Sequence, residues 1–259
     1  LHHAASVGHA EAARCLLQAE PRLMELHDEF MDTPVSGAIR NGHVAVLDEL
    51  LAAGLDVNGV DAFATTVLQM AAFHGQHKMV QQLLINDASV DGGANSRSML
   101  MALHLAAMSG SERCVGALLD ARADPNAVGG VDADGGGRRK RQTALHFAAE
   151  AGHAQCVAVL LERGANTEAK DFRDHTARQL AAIESHQIAV MAFDTHAARN
   201  AEDFQPRLQR LSDSGKGTVV PKHGGRAQAR REGRSYGAST AVDEAAASSM
   251  SMRSMRAGK

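Results

Sequence analysis

The 259-residue sequence has no tryptophan, one tyrosine and seven phenylalanines, so aromatics make up only 3% of a chain that is 44% apolar. Large aromatic side chains dominate the burial of conventional cores. Their scarcity argues against one bulky core and for thin helical layers packed with alanine, glycine and leucine. Cysteine is scarce too. Three thiols, Cys15, Cys114 and Cys156, cannot build the disulfide framework that staples small secreted domains. No run of 18 apolar residues occurs, so no membrane span is predicted. The Gly-x-x-x-x-Gly-Lys-Ser/Thr phosphate loop and the His-Glu-x-x-His zinc helix are both missing, which removes two common routes to nucleotide and metalloprotease chemistry. The net charge of −3 hides an asymmetry: residues 197–259 hold 12 Lys or Arg against 6 Asp or Glu, a balance of +6, which leaves −9 on residues 1–196.

What the chain does have is a ruler. A glycine is followed eight and nine residues later by a leucine pair at Gly8 with Leu16-Leu17, Gly42 with Leu50-Leu51, Gly75 with Leu83-Leu84, Gly110 with Leu118-Leu119 and Gly152 with Leu160-Leu161. A short helix that must reverse direction does so through a left-handed residue, which costs glycine little. The leucines, with Val or Cys at spacings of three and four, form the apolar stripe of a second helix. Cys114 and Cys156 each fall four residues after their glycine, and Cys15 falls seven after Gly8. Read as apolar positions of that helix, all three thiols are expected to be buried, and the chain to reside in a reducing compartment.

The best copy runs from 142 to 174. Its Thr143-Ala144-Leu145-His146-Phe147-Ala148 resembles the ankyrin repeat, whose signature is Thr-Pro-Leu-His-x-Ala at a period near 33 residues. The resemblance covers about residues 1–196 and implies an all-α ankyrin-repeat solenoid of about six helix-turn-helix repeats with a disordered C-terminal tail. Repeat one, 1–32, lacks the start of its motif, as expected of a fragment without its N-terminus, and its turn departs at Glu20-Pro21-Arg22-Leu23-Met24. Repeat two, 33–64, opens with Thr33-Pro34, where threonine caps a helix and proline takes its first position. Repeats three, 65–98, and four, 99–128, follow. The interval from Gly110 to Gly152 is then widened by a Gly-rich, basic insertion at 129–141, expected to project as a flexible loop. Repeat six, 175–196, has Arg178 in place of Leu, Ser185 in place of Gly and Asp194 in the leucine pair, and reads as a polar C-terminal cap. Residues 197–259 are low in apolar content and basic; a short helix fits 203–211, and from Ser212 onward the composition predicts disorder.

The resemblance also assigns roles. Of 14 histidines, His104 and His146 hold the motif position and His9, His43, His153 and His186 the position after the closing turn, where family members use them for hydrogen bonds across turns and between repeats. Zinc would need three or four converging ligands, and none is seen, so no metal or cofactor is expected. In the family, partners dock on a face built from the turn tips and the two residues before each closing glycine. That mapping selects Phe30, Phe63, Phe172 and Arg173 at tips, and Arg40, Asn41, Phe73, His74, Met108, Ser109 and Glu150 on first helices. Four of the seven phenylalanines fall in this set, and aromatics with methionine are what interface centres favour. The expected function is a non-catalytic, monomeric scaffold for a protein partner, intracellular in the cytoplasm or nucleus, with no small-molecule substrate. Alternatives are the targeting array of a larger enzyme or ubiquitin-ligase-type protein, or a nucleic-acid or acidic-surface role for the basic segments. Arg138, Arg139, Lys140 and Arg141 read as a solvated loop, a nuclear-import signal or a patch for acidic ligands. Nucleic acid is disfavoured by the −9 array and by the lack of stacking aromatics within the basic runs.

Overall fold

Each layer starts where an extended residue caps a helix, and the same chemical device recurs with different side chains. In the computed structural model, which describes residues 1–92, 100–129 and 141–199, all described residues lie in one unit, Leu1–Asp213. First helices are α1 (His2–Val7), α3 (Pro34–Asn41), α5 (Val67–Phe73), α7 (Ala102–Ser109), α9 (Ala144–Glu150) and α11 (Ala177–Ile183). Second helices are α2 (Ala10–Ala19), α4 (Val44–Ala52), α6 (His77–Ile85), α8 (Glu112–Asp120) and α10 (Ala154–Glu162). A last one, α12, takes in residues 187–199. First helices pack on first helices from α1 to α11 and second helices on second helices from α2 to α10.

The caps show why the motif histidine can be replaced. Thr66 Oγ1 accepts from the Gln69 backbone at 3.2 Å while Gln69 Oε1 accepts from the Thr66 backbone at 2.8 Å, closing a capping box. In the histidine copies the Nδ1 atoms of His104 and His146 accept from the Met101 and Thr143 backbone amides at 3.0 and 3.2 Å. The far end of each side chain then reaches a backbone carbonyl in the turn that follows: Gln69 Nε2 donates to Leu100 O at 2.7 Å, His104 Nε2 to Ala127 O at 3.0 Å and His146 Nε2 to His175 O at 3.3 Å. Glutamine is thus an uncharged stand-in for the imidazole. In repeat two Thr33 is the cap residue with Pro34 first in the helix, but its hydroxyl pairs with Ser36 Oγ at 3.0 Å and not with the backbone.

The core is one continuous cluster. The residues four and five after the glycine, Val46-Leu47, Met79-Val80, Cys114-Val115 and Cys156-Val157, are fully buried, as are Leu50, Leu83, Leu118 and Leu160. Each Val, Leu or Met among them contributes about 1.5–3 kcal/mol by leaving water. Leu51 and Leu84 are half-buried, and Leu16 is exposed because no described layer stacks on the N-terminal side of α2. For the same reason the expectation of three buried thiols fails at Cys15, which is exposed. Its place seven after the glycine is half-buried in the other copies, at Glu49, Gln82, Ala117 and Val159, so it sits on the margin of the stripe and loses its cover here.

Two glycines illustrate the ruler's cause. Gly110 and Gly152 have φ of 77° and 75°, and a Cβ on either would lie 2.6 or 2.7 Å from the ring of His153 or His186 in the following repeat. Those rings hydrogen-bond to Met108 O at 3.2 Å and Glu150 O at 3.0 Å, and His43 does the same to Ser6 O at 3.0 Å. At Ser185, where the glycine is lost, the backbone keeps a φ of 63°. Repeat six bears the polar residues expected of a cap, Arg178 paired with Asp194 at 2.9 Å, and it also exposes Ile183, Ile188 and Met191.

Candidate docking face

Between layers the chain makes a projecting turn, and one carboxylate braces each described tip. Asp28 Oδ1 accepts from the amides of Phe30 and Asp32, both at 2.9 Å. Asp61 Oδ1 accepts from Phe63 and Thr65, both at 2.8 Å, and Asp171 Oδ1 from Arg173 and His175 at 2.8 and 2.9 Å. The third residue after each aspartate, Met31, Ala64 or Asp174, is left-handed at φ of 63°, 59° and 61°. Side-chain mimicry of a backbone turn in this way is a speciality of aspartate and asparagine. One antiparallel bridge closes each of two hairpins, Val60 with Thr66 and Lys170 with Thr176. At the widened turn the ladder is longer, β1 (Val128–Gly129) with β2 (Gln142–Thr143). The two ends of the widened turn are therefore held together by this pairing. The insertion's basic residues Arg138, Arg139 and Lys140, and its expected flexibility, lie outside the described residues, as does the tail from 200 onward; Arg141 is described, exposed, with φ of 42°.

Counting from the aspartate separates the expected tip residues. Phe30 and Phe63 occupy the second place and are 70% and 62% exposed. Phe172 occupies the first, is half-buried, and carries the Arg173 guanidinium over its ring at 5.0 Å. The residue equivalent to the two exposed phenylalanines is Arg173, so Phe172 serves as a support for that cation and is no third aromatic tip.

The first-helix positions align as Ser6, Arg40, Phe73, Met108, Glu150 and Ile183 across the six layers. Phe73 is 47% exposed and meets the His74 ring edge-on at 5.2 Å; Met108 is half-buried, and Asn41, His74, Ser109 and Glu150 are exposed. Several are fixed by polar contacts that span repeats. Asn41 Nδ2 donates to Ser6 O and Gly37 O at 3.0 Å, and Ser109 Oγ to Ala72 O at 3.1 Å. Arg40 pairs with Asp32 at 2.7 Å, and Gln142 Nε2 donates to Glu150 Oε2 at 3.0 Å; both contacts tie a turn to the end of a first helix, so turns and helix ends share one side. Burial, with the charge of Arg40 adding to it, lowers the pKa of His74. Ile183, 58% exposed, belongs to the same row. Sequence reasoning missed it because repeat six looked like a cap; the Ala181-Ala182 that precede Ile183 were the available signal.

No group of three or more His, Cys, Asp or Glu among the described residues could hold a metal ion, and no described helix is long and apolar enough to cross a membrane. A Gly-x-Ser-x-Gly string does occur once, at Gly233-Arg234-Ser235-Tyr236-Gly237. It falls outside the described residues, and no apolar strand sequence precedes it as a nucleophile elbow requires.

Stacked helix pairs, joined by projecting turns and carrying a row of exposed and half-buried helix ends, define a helical-repeat scaffold of the protein-interaction class. The chain belongs to the ankyrin repeat family: the family model for ankyrin repeats, in three copies, matches residues 37–129 and 103–193. It is 32% identical over 115 residues to the transient receptor potential cation channel subfamily A member 1 homolog of Caenorhabditis elegans, across 44% of this chain and 9% of that protein. It is 37% identical over 118 residues to the probable E3 ubiquitin-protein ligase XBOS33 of Oryza sativa subsp. japonica, across 45% and 22%. Ankyrin repeat and SOCS box protein 3 of Homo sapiens is 36% identical over 109 residues, across 40% and 21%. The match thus spans less than a quarter of each of these relatives.

Proposed function

We propose that the array is a non-catalytic docking module that holds a protein partner on the side shared by turn tips and first-helix ends, centred on repeats two to four. The observation that carries this reading is the exposure of Phe30, Phe63 and Phe73 on a chain with only seven phenylalanines. Aromatic side chains left in water on a rigid scaffold are favoured anchors for association, and a preformed surface lowers the ordering cost of binding. Arg40, Glu150 and Arg173, at helix ends and a turn tip on the same side, would set orientation. The free, buried state of Cys114 and Cys156 suits a reducing compartment. A partner captured from cell extract with the full chain supplies the test. Phe73→Ala with Met108→Ala should weaken its binding at least tenfold while circular dichroism stays unchanged; undiminished affinity would remove this face from consideration.

A second reading, the targeting array of a larger ligase, draws on the relatives named as ubiquitin ligase and SOCS box proteins. It is compatible with the first, since such an array would use the same face to select its target.

A further inference from the structure

We propose that a cleft between repeats one, two and three, at the base of the first two turns, binds an arginine or lysine side chain from a basic segment of a partner protein. None of the docking-face residues lines it, so it is a separate site. Its origin is the irregular turn of repeat one. There Pro21–Glu25 forms a 3-10 helix that delivers Met24 and Glu25 to one wall of a cleft of about 260 Å³.

The lining has two chemistries. Met24, Leu55, Val60, Val67 and Met70 supply apolar walls, while Glu25, Asp56 and Asp61 supply three carboxylates. His27 lines it too, and no Lys or Arg does. An alkyl stem ending in a cation satisfies both at once, because such side chains bury their methylenes and keep the charged head at a polar margin. The volume lies below the roughly 300–1,000 Å³ of drug-sized ligand sites, which suits one side chain and not a cofactor. Beyond the cleft, residues 1–92 carry 12 Asp or Glu against 4 Lys or Arg, a field that draws a basic segment towards this end of the array.

The test uses the full chain with labelled methyl groups and two probes of matching shape, Nα-acetyl-argininamide and the uncharged Nα-acetyl-citrullinamide. Saturable shifts are expected in the methyls of Met24, Leu55, Val60, Val67 and Met70, with the arginine probe binding about fivefold or more tightly than the citrulline one. Glu25→Gln with Asp56→Asn, which leaves only Asp61 of the three carboxylates, should cut that preference at least twofold. The asparagine retains the oxygen that accepts from the Asn58 amide at 3.0 Å, so the turn is kept. Absent shifts, equal affinity for the two probes, or an undiminished preference in the double variant would each overturn the proposal. The methyls of Met108 on the docking face should stay still throughout, so the result bears on this cleft alone.

Discussion

Replacing Gly152 by alanine tests whether the layers are held apart by backbone geometry alone or by contact with the next repeat. At φ of 75° the alanine backbone is strained by about 1–2 kcal/mol. Its Cβ would also approach His186 Nδ1 to 2.7 Å, closer than real contacts allow. The ring must then swing away, losing its hydrogen bond to Glu150 O at 3.0 Å, which adds about 0.5–1.5 kcal/mol. Gly164 in the same repeat is the control: its φ is 85° and nothing lies within 4 Å of its Cβ position. Urea unfolding should show Gly164→Ala costing about 1–2 kcal/mol and Gly152→Ala about 1 kcal/mol more. In the His186→Ala background the excess should vanish, because the double-mutant cycle then contains no ring to displace. Equal costs for the two glycines in the wild-type background would refute the reasoning, and the ruler would owe its glycines to turn geometry only.

Ser185→Gly should raise stability by up to about 1 kcal/mol, since it relieves a left-handed serine at φ of 63°; a lower melting temperature would contradict this. Burial lowers the pKa of His104 and of His146 from the ordinary 6.5. The unfolded chain therefore binds protons first, and the stability contributed by the neutral rings is full above about pH 6.5 and lost as pH falls below it through the folded values. His146→Gln should flatten that decline, as Gln69 shows the same network made without a titrating ring; an unchanged pH profile would exclude His146 as its source. Thiol labelling should modify Cys15 rapidly and Cys114 and Cys156 only on unfolding. Burial raises both buried thiols, and the Cys156 thiol, with Glu112 and Cys114 adding to the effect, is pushed up to about 12. Three fast thiols would mean a loose core.

Much of the scaffold was legible because its causes are local. A glycine before a histidine, and leucines eight and nine residues on, report a left-handed turn and a buried stripe within a dozen residues. What escaped depends on neighbours. Cys15 lies on an apolar-looking helix but at the margin of its stripe, where no described layer covers it, and Phe172 sits one place short of the exposed tip, a distinction fixed by the bracing of Asp171 Oδ1. Ile183 was hidden by the poor match of repeat six. The cleft was illegible, since Met24 and Val60, 36 residues apart, meet only after the 3-10 turn and the hairpin closed by Val60 and Thr66 are both in place.

The central claim is that partners are held on the side of turn tips and first-helix ends. Hydrogen exchange of the full chain with and without the captured partner tests it most directly. Slowed exchange is expected at residues 28–32, 61–65 and around Phe73 and Met108, with the second helices α4, α6 and α8 unaffected. Protection confined to the second helices would contradict it.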